Sequence, residues 1–185
     1  VLVSLEEVAL ALTEGVSWAE ANRDHRLYPK MCSFLGDLSL QTGDRTAAVR
    51  WWLDAYERSG EDAELSARVE NRLDEVIATL NPDDLELVAD FAVGTQFSPK
   101  VFHRMAEGSL SKGDLEKAEE AAAALIRNSE DGEWVGRGEK ILETVRRESS
   151  VKRRVIGCIL PQSGPFAVYG SEVLRGIHLG LAIEG

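Results

Sequence analysis

Two stretches of sequence decide the fold: residues 35–55, LGDLSLQTGDRTAAVRWWLDA, and residues 105–125, MAEGSLSKGDLEKAEEAAAAL. Leu35, Gly36, Gly43, Ala48, Trp52 and Ala55 mark the first. Met105, Ala106, Gly113, Ala118, Ala122 and Leu125 mark the second, each 70 residues after its counterpart, or two periods of 35. Gly36 or Ala106 lets a second helix approach the first closely. Gly43 and Gly113 suit a turn that needs positive φ. Ala48 and Ala118 are small where two helices cross. Trp52 is expected to fill the space between hairpins, and Ala122, being smaller, to leave a thinner contact there.

Working outward, capping and breaking signals divide residues 4–150 into short helices. Ser4 with Glu7 and Ser17 with Glu20 read as capping boxes, and Gly15 as a stop. Pro29 is expected to end the second short element. A helix over about 30–42 stops at Gly43, the next starts with Asp44 as N-cap, and a longer one runs from about Glu61 to Leu80. Asn81-Pro82 and Ser98-Pro99 each read as an N-cap followed by proline at the first helical position. Asp131-Gly132 precedes a last helix to about Glu148. No segment here alternates with period two, so no strand is expected. Short loops between helices imply antiparallel hairpins. The pair at about 61–80 and 82–94 has the length but not the marked residues, and reads as a degenerate middle repeat; the rival is a non-repeating helical bundle.

The marked spacing resembles the tetratricopeptide repeat: a large apolar residue, a small one, a turn glycine, then a small, a bulky and a small residue. The implied fold is mainly α, a solenoid of helical hairpins over residues 1–149. The concave face of such a stack commonly binds a peptide or protein partner.

Charge and composition exclude several classes. Lys and Arg sum to 21 against 32 Asp and Glu, a net charge of −11. That argues against nucleic acid and anionic membranes as partners. The longest apolar run, Ala121 to Ile126, is far below the ~20 residues of a spanning helix. Cys32 and Cys158 fit no zinc or CxxC spacing and read as two buried free thiols. His25, His103 and His178 fall in different helices, and no P-loop, GxSxG, HExxH or dinucleotide fingerprint is present. Gly132, Gly136 and Gly138 follow no strand, and Asp83-Asp84 complements a helix dipole without needing a metal. The expectation is no enzyme and no cofactor. Trp51, about 100° around its helix from Trp52, reads either as a partner contact or as packing against the middle repeat.

The pattern changes after Ser149-Ser150. Lys152-Arg153-Arg154 reads as a solvated linker end, and VIGCILP, residues 155–161, as a strand buried on both faces of a parallel sheet. The loop QSGPFAVYG, residues 162–170, leads to a helix with Val173, Leu174, Ile177 and Leu181 on its apolar stripe and Gly176 and Gly180 placed to let it lie close on a sheet. A lone βα unit cannot bury both faces, so the chain is expected to be a piece of a longer protein, with the rest of an α/β domain beyond Gly185. Chain start at Val1 without a leader pattern suggests either a signal segment already removed or a piece cut for expression.

The stretch RVIGCILPQSGPFAVYGSEVLRGIHLGLAIEG, residues 154–185, resembles the start of type I periplasmic binding proteins, the fold of branched-chain amino-acid receptors. The apolar strand Val155–Leu160, Ser163-Gly164-Pro165, the pair Tyr169-Gly170 and the helix with Gly176 carry the resemblance. Residues 150–185 are thus expected to be a linker plus the first βα unit of a truncated domain of that family. Helical repeats ahead of such a domain resemble the penicillin-binding-protein activator lipoproteins. The resemblance implies an outer-membrane-anchored, periplasmic, protein-binding module whose partner is a peptidoglycan synthase. The alternatives are the amino-acid receptor of an ABC transporter with an accessory helical domain, and a stand-alone repeat scaffold. For a complete two-lobed domain the resemblance implies ligand contact by Ser163, Gly164 and Tyr169. The strand's two open edges imply self-association of the chain through 151–185.

Overall fold

Five of the described helices start where a side-chain oxygen meets the free N–H groups of a first turn. Asp44 accepts from the Ala47 N–H at 2.9 Å and Asp114 from Lys117 at 3.1 Å, with nearly the same backbone (φ −82°, ψ 84° and φ −82°, ψ 83°). Asn81 accepts from Asp84 at 2.9 Å, with Pro82 following it. Asp62, unmarked in the sequence reading, accepts from Leu65 at 3.1 Å, and Asp131 Oδ1 accepts from Glu133 at 2.8 Å.

The computed structural model describes residues 5–150 and 158–180. Nine helices lie among them: α1 (Leu5–Ala21), α2 (Tyr28–Gln41), α3 (Arg45–Glu57), α4 (Ala63–Ile77), α5 (Pro82–Ala92), α6 (Ser98–Lys112), α7 (Leu115–Arg127), α8 (Gly132–Ser150) and α9 (Ala167–Gly180). The chain divides into two units, Val1–Ser150 and Val151–Gly185.

In the first unit α2 packs on α3, α6 on α7, and α7 on α8, while α1 lies on α2 and α3 bridges to α4 and α5. The repeat is visible in hydrogen bonds. Gly43 (φ +88°) and Gly113 (φ +75°) turn the chain, donating to Leu40 O and Leu110 O, and Asp44 and Asp114 donate to Ser39 O and Ser109 O. The repetition extends further upstream than the marked residues. His25, Leu27 and Pro29 stand 70 residues before Thr95, Phe97 and Pro99. Tyr28 donates to His25 O as Ser98 does to Thr95 O, and Met31 to Leu27 O as Val101 does to Phe97 O.

Several local expectations are corrected. Gly15 does not stop a helix. It lies inside α1, where a Cβ would sit 2.7 Å from Leu35 Cδ2, so it is a close-approach glycine. Ser17 is therefore interior to α1. Pro29 stands in the first turn of α2, where a missing N–H costs nothing, rather than ending an element. Ser98 is not an N-cap but the first residue of α6; its hydroxyl is buried without a partner, and Thr95 Oγ1 accepts from the Phe97 N–H instead.

Packing explains the marked positions. Leu35, Ala48, Trp52, Ala55, Ala106, Ala118, Ala122 and Leu125 are all fully buried. The Trp52 indole does not sit between hairpins. It lies inside its own, over Gly36, where any Cβ would collide with the ring, and its Nε1–H donates to Ser33 O at 3.3 Å. The thin contact expected at Ala122 is closed by α8: a Cβ on Gly138 would lie 2.7 Å from Ile126 Cγ1 and 3.3 Å from Ala122 O. A small apolar cluster of Ala106, Ala118, Ala121, Ala122, Ile141 and Val145 results.

The middle pair, expected as a degenerate repeat hairpin, does not pack as one. Thirty-five residues after Gly36 and Ala48 stand Asn71 and Asp83, too large and polar for a tight crossing. Helix α4 rests on α3, and α5 rests on α3 and α6, rather than on each other. Arginines from both sides hold the C-terminal end of α4 instead. Arg45 donates to Thr79 O at 3.1 Å and Arg104 to Ala78 O at 3.0 Å, while Lys100 pairs with Asp74. Cations there also complement the helix dipole.

In the second unit, Val155–Gly157 of the expected strand lie outside the described residues. Cys158–Leu160 belong to no regular element. Cys158 is exposed, against the expectation of a buried thiol, because no element among the described residues packs over this segment. Gly164 (φ +78°) turns the chain into α9, and a Cβ on Gly170 would collide with the Pro161 carbonyl. Among the described residues, nothing outside the local helix backbone lies within 4 Å of a Cβ placed on Gly176 or Gly180.

The Gly36–Trp52 contact is testable. Gly36→Ala should destabilise the chain by about 1–3 kcal/mol through overpacking, read as a lower urea midpoint at unchanged slope. Trp52→Ala should cost about 3–5 kcal/mol.

Candidate functional site

The turn between α1 and α2 is short and held by several hydrogen bonds. Asn22 Nδ2 donates to Trp18 O at 2.8 Å, His25 donates its N–H to Asn22 O at 3.0 Å, and His25 Nδ1 accepts from the Leu27 N–H at 3.1 Å. The His25 ring stands edge-on to Trp18, centroids 5.4 Å apart. This holds Arg23 and Arg26 outward on a stiff frame. Both side chains belong to exposed residues.

Tyr28 anchors the frame from below. It is buried, and its hydroxyl donates to Asp54 Oδ2 at 3.2 Å. The Arg58 guanidinium lies 5.0 Å from the centre of the Tyr28 ring and donates to Arg23 O at 3.2 Å. Burial raises the Tyr28 hydroxyl pKa well above its ordinary value. Burial also pushes the fully buried Cys32 thiol up to about 11, so it stays protonated at neutral pH.

Two grooves open on this frame and meet at Arg23 and Tyr28, which line both. The first, about 660 Å³, is lined by Arg23, Arg26, Lys30 and Arg58 with Asp24 and Asp62. Four cations face two acids there, in a chain of net charge −11. Lys30 pairs with Asp62 at 3.2 Å. Asp62 is held below the usual carboxylate range, first by the Leu65 N–H and then by Lys30. Arg23 and Arg26 enter no ion pair among the described residues. The second groove, about 590 Å³, runs between α1, α3 and α5, with Val16, Trp51, Leu87 and Phe91 as its apolar lining and Arg50, Asp54 and Glu20 as polar lining. Leu87 is 56% exposed.

Trp51, expected as either a partner contact or packing, does pack against the core and is also open to solvent. It is half-buried against the core and lines the open groove beside Leu87 and Phe91 of the middle pair. Ser163 and Gly164 lie in the exposed turn before α9, and Tyr169, 69% exposed, lies in its first turn beside Phe166 with ring centroids 6.5 Å apart. Trp51 belongs to the first unit and these three to the second.

The sequence reading missed Arg23, Arg26, Arg58, Leu87 and Phe91. One signal was present: RDHRLYPK, residues 23–30, is locally basic in an acidic chain. Arg58 and Phe91 join it only through folding.

Elsewhere, His103 stands 5.5 Å edge-on to Trp134 and 3.4 Å from Glu107, and burial lowers its pKa. A third groove, about 700 Å³, has Phe102 and Met105 in its lining and the Lys117–Glu86 pair, 2.6 Å, across it. No helix among the described residues is long and apolar enough to cross a membrane.

The two thiols should behave oppositely. Near pH 8 a small aromatic disulfide reagent should react with one thiol per native chain and with both in denaturant, and Cys158→Ser should remove the native reaction. Rapid labelling of native Cys32 would contradict its burial.

Comparison of the chain with protein-family models, with curated proteins and with solved structures found no match.

Proposed function

We propose that the chain is a non-enzymatic protein-interaction module, in which the stack α1–α8 docks a partner at the groove beside Trp51. The observation that carries this is the open apolar strip of Trp51, Leu87 and Phe91 on a rigid frame of helices. An indole anchored on one side and open on the other supplies large contact area at low entropic cost. The regular hairpins behind it, with their repeated turns, fit a tetratricopeptide-like scaffold.

The setting of this module rests on the resemblance of residues 154–185. On that reading the protein is periplasmic, anchored to the outer membrane, and similar to activators of peptidoglycan synthases, with residues 150–185 opening a type I periplasmic-binding-protein domain. A second reading, solute receptor of a transporter, draws on the Gly164 turn and the exposed Tyr169 at the start of α9. There Ser163, Gly164 and Tyr169 would contact an amino acid once a full cleft surrounds them. The exposed Ile159, Phe166, Val168 and Leu179 favour self-association through 151–185. Light scattering should show it, and deletion of those residues should abolish it.

Surface-immobilised bifunctional peptidoglycan synthase should retain the chain, and Trp51→Ala should weaken retention at least tenfold without lowering the melting temperature by more than a few degrees. Retention unaffected by Trp51→Ala would remove the groove from the interface. Stabilisation of the longer protein by leucine or isoleucine, without synthase binding, would favour the receptor. Neither response would leave a plain repeat scaffold.

A further inference from the structure

The two grooves differ in chemistry but share a wall. At one end Trp51, Leu87 and Phe91 offer apolar surface; at the other Arg23, Arg26, Lys30 and Arg58 offer positive charge. Two of these cations are already engaged, Lys30 with Asp62 and Arg58 over the Tyr28 ring. Arg23 and Arg26 are held outward by the bonded turn and are unpaired among the described residues. Arg50, on the second groove, is likewise in no ion pair among the described residues. Helix α2 begins in the first groove with Leu27 as N-cap and no side-chain cap, which adds its dipole to the same positive end. The first groove sets four cations against the acids Asp24 and Asp62, while the acids of the second, Glu20, Asp44 and Asp54, include Asp44 on the Ala47 N–H and Asp54 on the Tyr28 hydroxyl. In a chain with eleven more acids than bases, the cation excess of the first groove marks that end as complementary to negative charge.

We infer that the paired grooves take an extended acidic segment of a partner protein, its carboxylates on Arg23 and Arg26 and an apolar side chain on Trp51 and Leu87. The inference rests on the docking reading of the Trp51 groove. Guanidinium groups suit carboxylates because two parallel N–H donors match two oxygens. Nucleic acid does not fit: a phosphate backbone needs a longer basic track than these three arginines, and the rest of the chain repels it.

The test is fluorescence anisotropy of labelled twelve-residue peptides alternating Glu with Leu, Gln with Leu, or Lys with Leu, against the whole chain. The Glu–Leu peptide should bind at least tenfold tighter than either other peptide, and more weakly as salt rises. Arg23→Glu with Arg26→Glu should weaken that peptide about tenfold or more, and Arg23→Gln with Arg26→Gln should do so to a smaller degree. Both pairs are exposed, so circular dichroism should show an unchanged fold. Trp51→Ala should weaken the Glu–Leu and Gln–Leu peptides alike. Equal binding of Glu–Leu and Gln–Leu, or no effect of the double arginine variants, would overturn the acidic occupant. If Trp51→Ala still weakened binding, the docking reading would stand. Failure of all peptides would likewise overturn the inference, with the docking reading then decided by synthase retention. Binding of a labelled oligothymidylate lost in the arginine variants would assign the charge to nucleic acid, and dimerisation lost in them would assign it to a second copy; both would overturn it.

Discussion

One contact sets the geometry of the N-terminal hairpins: the Trp52 indole lying over Gly36. The absent side chain at Gly36 lets α2 and α3 close over a bulky ring, and the ring's N–H has a carbonyl, Ser33 O, to donate to. The indole is buried without an orphaned donor, so its full apolar area stabilises the hairpin. With α3 fixed in rotation by Trp52, Trp51 must face about 100° away, toward α5. The open groove is therefore a consequence of the buried contact: the same one-residue step that sinks one indole into the hairpin presents the other beside Leu87 and Phe91.

The helical part was legible wherever a rule depends on residues close in sequence. Turn glycines, aspartate and asparagine caps and the 70-residue recurrence are of this kind. The errors came where tertiary contact decides. Gly15 has the sequence signature of a stop, yet Leu35 from another helix is what requires it. Ser98-Pro99 has the signature of a cap, yet the serine is drawn into the core and Thr95 takes over the Phe97 N–H. The upstream recurrence, His25-Arg26-Leu27-Tyr28-Pro29 with Thr95-Gln96-Phe97-Ser98-Pro99, was hidden because only proline is common to both. The shared element is a backbone hydrogen-bond pattern that unlike side chains support.

The candidate site was legible at one residue. Trp51 stood out because two adjacent tryptophans on one helix cannot both face the same core. Arg58 and Phe91 lie 35 and 68 residues from Arg23 in the chain, and no local pattern connects them. The second unit poses a different problem. Its turn at Gly164 and its helix α9 follow from the Gly/Pro/Ser loop and the apolar stripe. A strand needs neighbours to hydrogen-bond, however, and Cys158–Leu160 have none among the described residues. Strand propensity alone does not make a strand.

The charge distribution has a kinetic consequence. A net charge of −11 repels an acidic partner at long range, so the positive groove cannot steer it from a distance. At physiological ionic strength the Debye length is about 8 Å, and beyond that the field of the chain is screened. Within it, Arg23 and Arg26 dominate because they are the near charges and enter no ion pair among the described residues. Because the general repulsion is already screened at physiological ionic strength, added salt acts mainly by weakening the local pairs. An interface built this way gains selectivity rather than speed. A partner that is acidic everywhere is excluded, and one that carries a short acidic segment beside an apolar side chain is retained.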